Sequence, residues 1–189
     1  MLVMTTMDTV RQAARRPASA GASALGVRVV RRMGENTWVR VSAKADYAVR
    51  AAVELAGAGE EPLTAEVVAG RQEIPMPFLQ KIFHELQVAR LVSSQRGPEG
   101  GHRLARPADE ITVADILRAV EGPLAAVRGE APEALHYRGA AEPLQGVWIA
   151  LRTNMRAVLE GVTLADLARA RLPRRIAALA DKPDSWVTR

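Results

Sequence analysis

The stretch Arg90-Leu-Val-Ser-Ser-Gln-Arg-Gly-Pro-Glu-Gly-Gly-His-Arg-Leu-Ala-Arg106 constrains the fold of this chain more than any other. It reads as two short strands, Leu91–Arg96 and His102–Arg106, joined by the turn Gly97-Pro98-Glu99-Gly100-Gly101. Proline fixes φ and glycine accepts φ > 0, so the chain can reverse tightly between them. Arg90, Arg96, Arg103 and Arg106 surround that turn against a single acid, Glu99.

Helical signals precede the hairpin. Ser42 is a good N-cap for a first helix running to about Ala58, with Ala48, Ala52, Leu55 and Ala56 on a small-residue buried face. Thr64 opens a short second helix, Ala65 to about Gln72, expected to bury Val67 and Val68. After Ile74-Pro75-Met76-Pro77 a third helix runs from Pro77 to about Arg90, proline being compatible with its first position. Leu79, Ile82, Phe83 and Leu86 face inward, leaving Gln80, Lys81, His84, Glu85 and Gln87 outside. Helix, short helix, turn, helix and basic hairpin is the winged helix-turn-helix order, in which the third helix enters the major groove of DNA.

Beyond the hairpin, Thr112 caps a fourth helix ending at Gly122, with Ile116, Leu117 and Val120 as its apolar positions. A looser connector with three prolines follows, then a fifth helix from about Leu144 to Glu160. Its Leu144, Val147, Trp148, Leu151, Met155, Val158 and Leu159 form a long apolar stripe outside the small domain, and a second copy of the same helix is the economical partner. Thr163 caps a short sixth helix through Leu164 and Leu167, and the end shows only a turn of helix at Ile176–Leu179. No internal repeat is evident. The expected fold is mainly α with a small β-hairpin. It divides into a winged helix-turn-helix domain (40–122), a connector (123–143), a dimerisation helix with its short successor (144–172) and a tail (173–189).

Charge is unevenly placed. Residues 1–40 hold seven arginines against Asp8 and Glu35, whereas residues 41–189 carry 19 basic and 19 acidic side chains. The high pI therefore belongs to the beginning of the chain, and the local arginine cluster is the better sign of nucleic-acid binding. Residues 1–39, basic and poor in aromatics, read as a disordered extension or as sequence upstream of a true start at Met33. They also have the Arg- and Ser-rich look of a transit peptide, but no apolar run approaches the ~20 residues that span a bilayer. A cytoplasmic protein with no membrane partner is expected. With no cysteine, three scattered histidines and no Ser/His/acid or metal-ligand spacing, the chain offers nothing from which to build an enzyme site.

From Arg40 to about Leu172 the chain resembles the Rrf-two family of bacterial winged-helix regulators, of the IscR/NsrR type. The resemblance rests on Ser42-Ala-Lys-Ala-Asp-Tyr-Ala-Val-Arg50, Arg71-Gln-Glu-Ile74, Phe78-Leu79 and the hairpin, then on Ile111-Thr-Val-Ala-Asp-Ile116, Ala119-Val-Glu-Gly-Pro-Leu124, Trp148 and Leu164-Ala-Asp-Leu167. It implies a homodimeric repressor or activator with the fifth helix as the dimer seam. Sensing members carry three connector cysteines that hold an iron–sulfur cluster. Here Val127–Ala141 contains none, and His136 is its only soft ligand, so no cofactor is expected.

The resemblance also directs Arg96 toward the minor groove, with an ion pair to Glu99 as the competing reading. Gln80 can present a donor and an acceptor to adenine, and Pro77, Lys81 and His84 share its side of the helix. Lys44 and Tyr47 suit phosphate contacts, although Tyr47 could instead pack under the wing; Arg103 suits either phosphate or solvent. Gly100 and Gly101 would let the hairpin tip approach phosphate, while Phe78 and Phe83 are expected in the core. The leading reading is a DNA-binding regulator, probing double-stranded DNA as a homodimer and controlled by a small molecule or protein at the connector or seam. The alternative is a winged-helix module that binds protein, kept open by the neutral balance of residues 41–189.

Overall fold

Ser42 accepts the Ala45 N–H at 3.0 Å and opens α1, Ala43–Ala58, in a computed structural model that describes residues 41–97 and 100–187. The expectations for residues 1–39 lie outside those residues. Ala45, Ala48, Ala51, Ala52 and Leu55 are buried on α1. Four alanines keep that face thin, so α2 (Ala65–Gln72), α3 (Met76–Val88), α4 (Val113–Glu121) and α6 (Leu164–Ala168) all pack around it. Val68 of α2 is buried, but Val67 is exposed, because eight residues offer one inward line and Val68 occupies it.

α3 starts one residue earlier than expected, at Met76, and stops at Val88 rather than Arg90. Arg90 adopts a left-handed conformation, φ 57°, and Leu91 N–H returns to the Leu86 carbonyl at 2.9 Å. That is the six-to-one bond of a helix stop normally built on glycine. Glu73 (φ 53°) ends α2 in the same way, with Ile74 N–H on the Ala69 carbonyl at 3.0 Å.

The hairpin forms from β1, Val92–Gln95, and β2, Gly101–Leu104, antiparallel with Ser94 opposite His102 and Gln95 opposite Gly101. On its other side β2 pairs with Leu63: His102 N–H donates to the Leu63 carbonyl at 2.7 Å, and Leu63 N–H to the His102 carbonyl at 2.9 Å.

α6 was grouped with the fifth helix from the sequence; the structure returns it to α1, with Leu164 fully buried. The cause is a local two-fold match that the sequence reading missed. Ile111-Thr-Val-Ala-Asp-Ile116 and Val162-Thr-Leu-Ala-Asp-Leu167 repeat one pattern, and Thr112 faces Thr163. Val113 N–H donates to the Val162 carbonyl at 3.0 Å and Leu164 N–H to the Ile111 carbonyl at 2.9 Å. Each threonine also forms a capping box, with Asp115 and Asp166 respectively.

Between α4 and α6 the chain makes an excursion. α5, Leu144–Leu159, has no buried residue. The connector is more ordered than its sequence suggested: it contains 3-10 turns at Pro132–Ala134 and Gly139–Ala141 and buries Pro132 and Leu135. Gln145 Nε2 of α5 donates to the carbonyls of Pro132, Glu133 and Leu135 at 3.3, 3.1 and 2.7 Å. Trp148 donates to the Tyr137 hydroxyl at 3.0 Å. The end of the chain exceeds the single turn expected: α7 spans Arg174–Ala180 and a 3-10 turn follows at Pro183–Trp186.

Candidate nucleic-acid interface

α3 has two faces of identical arithmetic. Leu79, Ile82, Phe83 and Leu86 are buried; Pro77, Gln80, Lys81 and His84 repeat the same spacing two residues earlier and are all exposed. A shift of two residues turns about 200° around a helix, so the second set points away from the core. Among the described residues Gln80, Lys81 and His84 have no hydrogen-bond or ion-pair partner. Their donors and the Gln80 carbonyl are therefore available to a groove.

The hairpin continues from the end of α3. Arg96 is exposed where β1 leaves the sheet, and Gly97 beside it takes φ 118°, a conformation that only glycine adopts easily. No described carboxylate pairs with Arg96; Glu99, its alternative partner, lies outside the described residues. Arg103 lies 3.6 Å from Glu60, an acid that is 98% exposed. Such a pair is weakly held in water, leaving the guanidinium free to exchange partners.

Gly100 and Gly101 are required by the protein's own backbone. A Cβ on Gly100 would sit 2.4 Å from the Gln95 carbonyl oxygen, and one on Gly101 2.6 Å from that of Leu63. Lys44 and Tyr47, assigned to phosphate from the sequence, are engaged with α3. Lys44 pairs with Glu85 at 3.1 Å, and Tyr47 meets Phe78 edge-on at 6.5 Å, not the underside of the wing. Phe78 is 57% exposed, whereas Phe83 is buried as expected. Phe78 lies on the edge of α3 between the two stripes, where Tyr47 of α1 meets it.

Two further contacts position this surface. Arg50 reaches from α1 to the turn before α3: its Nε donates to Gln72 Oε1 at 2.9 Å, another guanidinium nitrogen to the Gln72 carbonyl, and Nη1 pairs with Asp46 at 3.2 Å. His102 of β2 stacks on Phe83 of α3, with ring centroids 4.1 Å apart and planes 20° from parallel. Its Nδ1 lies 3.3 Å from Gln87 Nε2. Burial pushes the His102 imidazole below its ordinary pKa, against the opposing pull of Glu66. The only sequence signal for this contact was the histidine directly after the turn; nothing in a linear pattern pairs it with Gln87.

The connector is a poor place for a metal. His136 Nδ1 is 2.9 Å from the Ala134 carbonyl, and the described residues include no cluster of three histidine or carboxylate side chains able to hold an ion. With no thiolate in the chain, the donor set does not fit an iron–sulfur centre. No described helix is long and apolar enough to cross a membrane.

A family model described as "Rrf2: Iron-dependent Transcriptional regulator" matches residues 41–170. The chain is similar to Rv1287 of Mycobacterium tuberculosis, named for an HTH-type transcriptional regulator: 50% identical over 144 residues, 76% of this chain and 89% of the relative. Among solved structures it is similar to CymR, the global cysteine regulator of B. subtilis, at 32% identity and TM-score 0.60, covering 70% of this chain and 98% of that one. It is likewise similar to IscR of T. potens, at 30% identity and TM-score 0.56, covering 80% and 93%.

Proposed function

Since this chain belongs to the Rrf2 family of winged-helix, DNA-binding transcriptional regulators, we propose that it acts in the cytoplasm as a homodimeric repressor on a pseudo-palindromic operator, without an iron–sulfur cluster. α3 enters the major groove, where Gln80 reads a base edge and Lys81 and His84 line the groove; Arg96 reaches from the wing into the adjacent minor groove. The observation that carries the reading is the unpartnered stripe Pro77, Gln80, Lys81 and His84 beside a wing whose mouth presents Arg96. Arg103 adds a phosphate contact by exchanging Glu60 for DNA. The two copies meet along the α5 stripe, and the half-site spacing follows from the distance between the paired α3 helices.

Iron has no part in this scheme, because the connector lacks the donors. A small molecule or partner protein acting on the connector or the seam controls the dimer. Sequencing genomic fragments captured by the purified protein identifies the operator. With that operator in hand, Arg96→Ala weakens binding by about 1–3 kcal/mol, and unchanged affinity removes the wing from the reading. A protein that retards no duplex at low salt overturns the whole proposal.

A further inference from the structure

We propose that His102 is a positioning residue that locks the wing to the recognition helix, and that its protonation loosens the lock and weakens operator binding. The inference deepens the DNA-binding reading above and rests on it.

Three separate holds converge on this one side chain and its backbone. The main chain of His102 exchanges two hydrogen bonds with Leu63, at 2.7 and 2.9 Å, fixing β2 to the segment before α2. The ring lies flat on Phe83, itself buried in the core. Its Nδ1 faces the amide of Gln87, one helical turn beyond Phe83. A residue of the wing is thus tied to α3 twice on one side. Its cross-strand neighbour is Ser94, two residues before Arg96, so a tilt of β2 moves the mouth of the wing. The contact also sorts the two glutamines of α3: Gln87 holds the wing, and Gln80 stays available to DNA.

With the Gln87 Nε2 toward it, Nδ1 accepts and the imidazole is neutral; protonation forces the Gln87 amide to turn its oxygen to the ring. Among the described residues the groups facing the ring are Phe83 and Gln87 from α3, Ser94 from β1, the Leu63 backbone, and Glu66 from α2, of which Glu66 carries charge. Its carboxyl is held low by its own backbone N–H and the Thr64 hydroxyl. It favours the proton on His102, yet burial outweighs it and the imidazole remains depressed. A loosened wing therefore takes up the proton more readily than a locked one. Above the ordinary imidazole value of about 6.5 both forms are neutral and the lock is intact. As pH falls below that value the loosened form gains, until the locked form also titrates.

Operator affinity of the full chain, measured from about pH 8 to about pH 5.5, is compared between the wild type and His102→Phe. The variant keeps a ring on Phe83 and removes the titrating nitrogen. The wild type loses about three- to tenfold more affinity over that range than the variant, the fold-change of one net hydrogen bond. His84 is present in both proteins, so its contribution cancels in the comparison. Equal slopes overturn the proposal. So does a relative gain by the wild type, which would mean that added positive charge near phosphate outweighs the lock. If His102→Phe does not fold, wild-type NMR decides: the His102 ring proton must titrate below the ordinary value, and the Leu63 and Ser94 amides must shift with it. An ordinary or raised midpoint, or still amides, overturns the lock. Failure of the wild type to bind any duplex at any pH instead removes the DNA reading, while the NMR titration still judges the lock.

Discussion

α3 and α5 are amphipathic helices of 13 and 16 residues with opposite fates. α3 buries its four-residue apolar stripe completely, against α1 and the hairpin. α5 has seven apolar positions in its stripe and buries none, and Val147 is 54% exposed. Hydrophobic periodicity is equally clear in both, so it does not say whether the chain supplies the opposing surface. Full burial of one large aliphatic side chain stabilises by about 1.5–3 kcal/mol, and an isolated helix of this length is marginal in water. α3 finds its opposing surface within one chain; α5 leaves its stripe only half-covered, which is what the proposed pairing of two copies would complete.

The largest expected effects separate these cases. Phe83→Ala empties the centre of the winged domain and costs about 3–5 kcal/mol in denaturant unfolding, independent of protein concentration. Leu151→Glu, on the half-buried stripe of α5, should leave the circular dichroism of the winged domain in place but convert the proposed dimer to monomers in sedimentation. A dimer that survives Leu151→Glu puts the seam elsewhere.

Glycines sharpen the contrast at intermediate scale. Gly101→Ala drives a methyl to 2.6 Å from the Leu63 carbonyl oxygen, so overpacking of about 1–3 kcal/mol and loss of operator binding are expected. Gly146 sits inside α5 with nothing within 4 Å of an added Cβ. Gly146→Ala should therefore raise stability by about 0.5–1 kcal/mol, the helix-propensity gain. A lowered melting temperature there would reveal that a second backbone approaches α5 closely.

What the sequence made legible follows the same division. Capping residues Ser42, Thr64, Thr112 and Thr163 mark the helix starts correctly, because each side chain meets a backbone N–H three residues on and the signal is local. Helix ends were harder: Glu73, Arg90 and Ala170 take left-handed conformations without being glycine, held by bonds that no residue type announces. Of the candidate interface, the exposed positions of α3 were readable from the 3.6 period, whereas Arg96 came from the family resemblance. The Lys44–Glu85 pair was not legible because its partners lie 41 residues apart, and Phe78 was expected in the core because a position on the edge between two stripes can go either way. The connector looked loose because its order comes from Gln145 reaching back to three carbonyls.

The paired capping boxes give the next smaller effect. Thr112→Ala and Thr163→Ala should each cost about 1 kcal/mol, and the double variant less than their sum, since the two threonines face each other across one backbone exchange. Additive losses would show two independent caps rather than one brace. The backbone N–H of Thr163, and then its hydroxyl, hold the Asp166 carboxyl below its usual range. Its contribution is therefore present at neutral pH and lost as pH falls through that lowered value.

The smallest effect concerns Arg103. Its partner Glu60 is almost fully in solvent, so Glu60→Gln should leave the melting temperature unchanged. Arg103→Ala should also leave it unchanged, yet lower the slope of log affinity against log salt by about 1, because one fewer counterion is displaced from DNA. Arg156 in α5 is also exposed and pairs with Glu160 at 2.9 Å, on α5 rather than the wing. Arg156→Ala must leave the salt slope untouched. If both arginines alter the slope alike, the effect is one of overall charge and the wing has no privileged contact. If neither does, Arg103 is a solvated strand residue, and Arg96 is left as the wing's one proposed arginine contact.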